Sequence, residues 1–416
     1  MGELAWGPAQ VDWQERINVE RMRRERLAKS QAAMKKHGLA ACLLVRPDNL
    51  RYTTSTKGVP FAGQMRYALV FADHKPFIYE HGPLKEHAMV HCTWIGEENW
   101  RDAYSWMGGA PGPVASLAEA KLFATSIFED LKAKGLTQEK IGVDTLDELG
   151  RQALKELGLT LVSAQDAMME ARRTKTADEI NCHKMAASFA SVAFYNLART
   201  LHPGMRETEL ASTAMKVMID AGGEPAMSTP KIRSGPNCFE VYAAVTTDRI
   251  LEAGDSLYMN VCGAIDHMGY LTCLYRDYCV GKKPSAKHIE WHKKCYDRIY
   301  AVIDAIKPGA STADAAIHFP PVETWGYTSE RKVLTKEVGH AIGLSLFYEG
   351  PIINRLWSLD YPEVFEEGMV IAIECREGEP FVGGSRPEEM VVVTKTGTEV
   401  LCRVPCDEII TPWTFG

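Results

Sequence analysis

The chain contains 416 residues and carries a formal charge of −7, because 54 acidic residues outnumber 47 basic ones. Hydrophobic residues make up 46% and charged residues 24% of the sequence, which is typical of globular proteins and unlike disordered chains. This mild acidity argues against a nucleic acid or an anionic membrane as partner, and no stretch approaches the roughly 20 apolar residues of a membrane helix.

The sequence has 11 scattered cysteines, an odd number, and no CxxC pair. The first residues, MGELAWGPAQVDWQER, carry no apolar signal core. Together these features predict a reduced, cytoplasmic protein. In such a protein most cysteines are expected to be small buried hydrophobic residues without a chemical role.

The first part of the chain alternates helix and strand patterns. A charged amphipathic helix is predicted over 13–36, ended by Gly38, and another helix from about residue 115. Apolar segments that predict strands are LAACLLV (39–45), YALVFA (67–72), KPFIYE (75–80), KIGVD (140–144) and LTLVSA (159–164). This alternation predicts a small α/β domain over residues 1–172.

The second part, residues 173–416, begins with a long helix, for which Thr176 and Glu179 form a predicted capping box. Further helices are predicted over 206–223, 285–306 and 311–325, and strand-like segments over 256–262, 269–281, 369–375 and 390–401. Long helices followed by mostly antiparallel strands predict an α+β domain.

Three segments place polar residues beside apolar strands. His340 lies between glycines in KEVGHAIGLSLFYEGP, where its imidazole is accessible as a ligand or a general acid–base. Glu374 ends the strand MVIAIE, and Glu388 precedes the strand MVVVT. A carboxylate that points inward needs a partner. Taken singly, His340 is better explained as a satisfied core histidine and each glutamate as a solvated acid at a strand end, but their joint context weakens this interpretation.

These segments resemble the creatinase / Xaa-Pro aminopeptidase / methionine aminopeptidase superfamily. The similarity covers about residues 175–405 and is carried by SGPN, EAGDSLYMN, GHAIGL with EGP, EEGMVIAIE and RPEEMVVVTKTG. In the first part, DNLRYTTS (48–55) and RYALVF (66–71) are similar to the smaller domain of that superfamily. The resemblance implies a small N-terminal α/β domain followed by a pita-bread α+β catalytic domain, usually in a homodimer.

The metal-dependent members of this superfamily hold two cations with two Asp, one His and two Glu. His340, Glu374 and Glu388 match the His and both Glu, whereas Asn260 and Cys273 stand at the two Asp positions. Asn is a weak neutral ligand, and Cys cannot act as a bridging carboxylate. The comparison with the superfamily therefore predicts no binuclear centre and no metal cofactor. A single divalent cation bound by Cys273 with the three matching residues is the alternative.

The metal-free creatinase branch is similar around this strand, with Asn at the first Asp position and a small residue inside the run YLTCLYR (270–276). Arg66 matches the arginine that reaches the neighbouring subunit's site and binds the substrate carboxylate, a role that suits guanidinium. An exposed arginine at a strand start is the other interpretation. The creatinase catalytic histidine falls on or near Tyr242, and Tyr275 replaces a glutamate, so creatine is not the predicted substrate.

The leading hypothesis is a metal-independent, creatinase-like hydrolase that cleaves a C–N bond in a small polar metabolite bearing a carboxylate. His340 would transfer the proton, and Glu374 and Glu388 would orient water or a cationic nitrogen. The expected substrate-binding residues are Arg66 from the partner subunit, Asn260, Cys273, Tyr242 and Tyr348.

Three other functions remain open at this point. One is a lyase that removes a β-leaving group, since the N-terminal half is also similar to the dimethylsulfoniopropionate lyase of this superfamily. Another is an Xaa-Pro metallopeptidase, and the last is a metabolite binder without catalysis. Within the hydrolase hypothesis, Cys273 is a weaker candidate for a covalent nucleophile.

Overall fold

The computed structural model describes residues 16–57, 64–224, 230–239, 245–262, 268–333 and 337–411. The chain forms two compact units, of which one comprises Val19–Arg172 and the other begins at Arg173 and includes residues 16–18. Within the described ranges, no helix combines the length and the apolar character that crossing a membrane requires.

The N-terminal unit is built on a six-stranded mixed sheet with the order β4-β3-β2-β1-β5-β6. Its strands are β1 (Ala41–Leu44), β2 (Arg66–Phe71), β3 (Phe77–Glu80), β4 (Trp100–Asp102), β5 (Lys140–Val143) and β6 (Thr160–Ser163). The helices are α1 (Val19–Lys36), α2 (Pro47–Thr54), α3 (Leu84–His91), α4 (Pro113–Ala133), α5 (Glu148–Glu156) and α6 (Gln165–Arg173). β1 is buried along its whole length and β2 from Tyr67 onward, which explains the unbroken apolar sequences of these stretches.

The second unit contains an eight-stranded sheet with the order β11-β10-β12-β15-β9-β8-β7, and β16 pairs with β15. The strand pairs in this sheet are antiparallel. Its strands are β7 (Lys231–Ser234), β8 (Ser256–Asn260), β9 (Tyr275–Cys279), β10 (Val338–Ala341), β11 (Ile352–Ile353), β12 (Val370–Glu374), β15 (Glu388–Val393) and β16 (Thr398–Val400). A separate hairpin is formed by β13 (Glu377–Glu379) and β14 (Gly383–Ser385).

Helices cover both faces of this larger sheet. They are α7 (Ala177–Thr200), α8 (Glu207–Asp220), α9 (Ala286–Ala305) and α10 (Thr312–Ala316). On β12, Val370 and Ala372 pack into the core formed with α7 and α8, whereas Ile371 and Ile373 pack into the core formed with α9 and α10. Because successive side chains of a strand point to opposite faces, a strand covered on both sides is apolar throughout. The predicted α+β architecture is confirmed.

Local start and stop signals explain several element boundaries. The predicted capping box is confirmed, because the Thr176 side chain accepts from the Glu179 amide and Glu179 Oε2 accepts from the Thr176 amide. The helix predicted over 311–325 is wrong in length, since α10 ends at Ala316 and two prolines follow at 320 and 321. The strand predicted over 269–281 is regular only in β9.

Candidate functional site

The candidate catalytic residues lie on three neighbouring strands of the larger sheet. His340 is on β10, Glu374 ends β12, and Glu388 begins β15. The strand order β10-β12-β15 places them side by side, and Glu374 and Glu388 are directly opposite in register. All three side chains are buried. The structure thus brings the three residues together. Their spacing in the sequence alone does not reveal this proximity.

The glycine before His340 permits the strand pairing that holds this histidine. Gly339 pairs with Ile353 of β11, and a Cβ at this glycine would lie 2.9 Å from the Ile353 side chain. A larger residue would therefore push β11 away from β10. His340 itself has its ring 4.7 Å from the ring of Phe347, measured between centroids.

Glu374 is neutralised by a buried arginine. Nε and Nη2 of Arg386 donate to Glu374 Oε2 at 2.8 and 2.6 Å. The guanidinium also lies 4.5 Å from the centroid of the Tyr275 ring, a cation–π contact. Burial lowers the pKa of Arg386 most strongly as a single cause, but Glu374, Tyr275, Tyr258 and Glu388 together hold this pKa well above its usual value. The pair is therefore a fixed ion pair inside the site.

Glu388, unlike Glu374, has no charged hydrogen-bonding partner among the described residues. Its side chain is fully buried, and neither carboxylate oxygen accepts a hydrogen bond from any residue that the structure describes. Burial, and then repulsion from Glu374, raise the pKa of Glu388 well above its ordinary value. The raised pKa favours the protonated carboxyl group, which can act as a proton donor.

His340 complements Glu388. Its Nδ1 donates to the Ala341 carbonyl at 3.2 Å, and burial lowers the pKa of the imidazole. A neutral ring that carries its proton on Nδ1 offers Nε2 as the acceptor. This Nε2 atom lies 4.0 Å from Glu388 Oε1. A buried base and a buried acid therefore face each other at the centre of the site.

The two positions that differ from the superfamily's aspartates lie at the β8–β9 hairpin. Asn260 Nδ2 donates to Cys262 Sγ at 2.8 Å, and the Cys262 amide donates to Asn260 Oδ1 at 3.0 Å. Cys262 forms a disulfide with Cys273, with Cα atoms 4.0 Å apart. The prediction of a reduced protein is therefore wrong for this pair, and Cys262, expected to be buried filler, is instead the disulfide partner of Cys273. The other nine cysteines are free and buried, as expected.

The hairpin register explains why these two cysteines meet. Asn260 is opposite Tyr275, and the Val261 amide donates to the Leu274 carbonyl at 2.8 Å. Continuing the antiparallel register by one more residue on each strand places Cys262 opposite Cys273. Both cysteines lie in the predicted strands 256–262 and 269–281. Their pairing can be inferred only once the register of these two strands is known.

Two further charged residues of the site were not identified from the sequence. In the sequence, Arg386 is visible only as part of the RPEE motif, and no pattern singles out Lys231. Lys231 lies opposite Asn260 in the β7–β8 register, and its side chain is half-buried. Burial, and then repulsion from Arg386, lower the pKa of Lys231, which also interacts with Glu374 and Glu388. A basic residue before a strand is too common in sequences to have indicated this role.

The remaining predicted binding residues do not all belong to this cluster. In the N-terminal unit, Arg66 begins β2 and forms an ion pair with Glu80, its partner in register on β3. Its Nη1 donates to the Lys57 carbonyl at 2.6 Å, so it is not simply an exposed arginine. Tyr348 is 44% exposed in the segment between β10 and β11. Tyr242 lies outside the described residues.

With this geometry in place, comparisons with known proteins assign the family. The sequence profile of metallopeptidase family M24 matches residues 181–395, and that of the creatinase/prolidase N-terminal domain matches residues 26–173. The chain belongs to metallopeptidase family M24. This membership confirms the predicted superfamily and makes the chain a hydrolase of the kind that acts on C–N bonds.

Individual M24 relatives have different activities. Creatinase of Bacillus sp. (strain B-0618) is 28% identical over 310 residues, which cover 68% of this chain and 71% of that protein. The Xaa-Pro dipeptidase of Pyrococcus furiosus is 28% identical over 240 residues, 57% of this chain and 65% of that protein. The crystal structure of a prolidase from Thermococcus sibiricus aligns with a TM-score of 0.75 and 22% identity, over 94% of this chain and 99% of that one.

The donor set of this M24 chain does not fit a binuclear metal centre. The Asn260 amide is hydrogen-bonded to Cys262, and Cys273 is held in a disulfide rather than available as a thiolate. Glu374 is already paired with Arg386. Of the five ligand positions that the superfamily resemblance implies, His340 and Glu388 remain available as metal donors. Two donors are too few to hold two cations.

Proposed function

We propose that the chain is a creatinase-like hydrolase that cleaves a C–N bond of a small, carboxylate-bearing metabolite without a binuclear metal centre. The observation that carries this proposal is the buried pair formed by His340 Nε2 and Glu388 Oε1, 4.0 Å apart, with opposite pKa shifts. Titratable groups whose environments push their pKa values apart are typical of an acid and a base in catalysis.

The proton positions of this pair support a mechanism of hydrolysis. Neutral His340 accepts a proton at Nε2 from a water molecule, whose oxygen forms a bond to the substrate carbon. Glu388 gives its proton to the nitrogen as the C–N bond breaks, and the amine leaves. The proton on His340 then returns to Glu388 across the short gap, which restores the starting state. General acid–base catalysis of this type contributes ~10²–10⁴-fold.

The charges around the pair support a substrate with a carboxylate. Lys231 is a half-buried cation beside the two glutamates, and Arg386 adds a positive charge already shared with Glu374. In the resemblance to creatinase, Arg66 of the partner subunit supplies the guanidinium that binds the substrate carboxylate. Glu374 then serves mainly to hold Arg386 in place, rather than to orient water.

The proposal is tested by a screen of small C–N metabolites with wild-type protein and His340→Gln. We expect kcat to fall roughly 10²–10⁴-fold in the variant because the proton acceptor is lost. The matched control is His202→Gln, an exposed histidine beyond α7, which should retain full activity. If His340→Gln remains as active as this control, the proposed mechanism is wrong.

Product analysis in heavy-oxygen water separates hydrolysis from the alternatives. A hydrolase incorporates solvent oxygen into the product, whereas a lyase yields an alkene acid without it. Binding of a metabolite without turnover would indicate a non-catalytic protein.

An Xaa-Pro dipeptidase is the second candidate, because the P. furiosus relative has that activity and His340, Glu374 and Glu388 are all retained. Cleavage of Xaa-Pro dipeptides by protein that holds two divalent cations per chain would favour this candidate and contradict the metal-free proposal.

A further inference from the structure

A compact group of soft and hard ligands lies beside the acid–base pair. Sγ of Cys262, Sγ of Cys273 and a carboxylate oxygen of Glu388 all lie within 4.8 Å of one another. The three residues are buried. In the disulfide, neither sulfur is a thiolate, so the group cannot hold a cation in this form.

We propose that the dithiol form of this site binds one thiophilic divalent cation, such as Zn²⁺, through Cys262, Cys273 and Glu388. The disulfide accepts two electrons and two protons from a dithiol reductant, which becomes a disulfide in turn, and two thiols are formed. Cation binding then displaces both thiol protons, since thiolates are the binding form. Thiolates and carboxylates are both ligands of Zn²⁺, and a tetrahedral ion has room for a fourth ligand.

The unsatisfied carboxylate of Glu388 is an independent indication of a ligand. This side chain is fully buried, and within the described part of the chain neither of its oxygens accepts a hydrogen bond. A buried carboxyl group in this state lacks the hydrogen bonds that usually compensate its desolvation. A cation between the two sulfurs and Glu388 would supply them.

Nearby residues complete the arrangement around the site. Asn260 Nδ2 donates to Cys262 Sγ at 2.8 Å, an outer hydrogen bond of the kind that orients a metal ligand. His340 Nε2, 4.0 Å from Glu388, is placed to be the fourth ligand. The site shares Glu388 and His340 with the superfamily's carboxylate centre but differs from it in its two sulfur ligands, its single cation and its dependence on the redox state.

Cation binding has a consequence for catalysis that rests on the proposed function. Glu388 is the proton donor of the proposed hydrolysis, so a bound cation would hold it as a carboxylate and stop turnover. The disulfide form would then be the active one and the reduced, cation-bound form inactive. The binding itself does not depend on this consequence.

The test uses full-length, metal-stripped protein in both redox states, with Cd²⁺ as the probe. The disulfide is reduced by a phosphine, which is removed before the titration, and thiol alkylation with peptide mass spectrometry verifies each state. We expect reduced protein to bind one equivalent of Cd²⁺ with a sulfur-to-cadmium charge-transfer band in the ultraviolet. Oxidised protein should show neither.

Variants assign the ligands. Cys262→Ala and Cys273→Ala should each lose the charge-transfer band, while the matched control Cys42→Ala, a buried cysteine of the N-terminal unit, should retain it. Asn260→Ala should bind Cd²⁺ roughly 10-fold more weakly. If a variant fails to fold, the comparison of oxidised and reduced wild-type protein still decides. Equal Cd²⁺ binding in both redox states, or a band that persists in both cysteine variants, would overturn the proposal.

The same titration distinguishes this inference from the proposed function. Binding is read from the spectrum and so needs no substrate. A reduced protein that binds Cd²⁺ while the oxidised protein hydrolyses nothing would support the site and refute the hydrolase. Hydrolysis by a protein whose Cd²⁺ binding does not depend on the redox state would support the hydrolase and refute the metal site.

Discussion

Two glutamates of the site lie opposite each other, yet their environments give them different protonation states. Arg386 donates twice to Glu374 and makes no hydrogen bond to Glu388 among the described contacts. Burial, and then repulsion from Glu374, raise the pKa of Glu388, so the protonated form of the unpaired glutamate is favoured. The position of one guanidinium thus determines which glutamate can act as an acid.

This difference predicts a pH dependence of stability. Because the folded pKa of Glu388 is raised, the native state holds a proton that the unfolded chain releases above the ordinary glutamate value of 4.5. The free energy of unfolding therefore falls as pH rises from that value toward the raised pKa. Glu388→Gln should remove this loss, so its stability relative to wild type should increase from about pH 5 to about pH 8 in urea titrations.

The control for this pH experiment is Glu399→Gln, an exposed glutamate on β16. Its stability relative to wild type should change little between the same two pH values. The stability of Glu388→Gln relative to wild type could also be the same at both pH values. That result would show that Glu388 is ionised in the native state, contrary to our assignment.

Elements with strong local patterns could be predicted from the sequence, whereas contacts between elements could not. The apolar runs around Ala41–Leu44 and Val370–Glu374 predicted buried strands, and Thr176 marked the start of α7. The ion pair of Glu374 with Arg386 and the disulfide of Cys262 with Cys273 depend on strand register instead. Register is set by packing across the sheet, which a single sequence does not display.

The ion pair of Glu374 and Arg386 ties the end of β12 to the residues just before β15. Both side chains are buried, so Arg386→Ala would leave the Glu374 carboxylate desolvated and unpaired. Breaking a buried pair in this way costs roughly 3–5 kcal/mol. Urea unfolding should show this loss, together with a partial recovery in Arg386→Ala/Glu374→Gln, where no unpaired buried charge remains.

Arg331→Ala is the matched control for the ion-pair experiment, because Arg331 is exposed in a short turn. Surface substitutions of this kind usually change stability by less than about 0.5 kcal/mol. A loss for Arg386→Ala no larger than that of the control would show that the pair does not stabilise the sheet.

At the scale of the whole molecule, the fold belongs to a metallopeptidase family while the site lacks the usual donors. The superfamily resemblance in the sequence predicted both features, because the matching motifs and the differences at Asn260 and Cys273 are visible in the primary structure. The identity of the substrate was not predictable, since it depends on contacts between several elements that a single sequence does not display. Two M24 relatives of this chain, a creatinase and an Xaa-Pro dipeptidase, have different activities and illustrate the same limit.

The most direct test of the central claim is the turnover of metal-stripped, oxidised protein, measured with its divalent cation content per chain on the same sample. We predict hydrolysis of a C–N substrate at an undiminished rate with less than stoichiometric metal, because His340 and Glu388 supply the proton transfers. Activity that disappears with the metal and returns on adding two equivalents of a divalent cation would contradict the account.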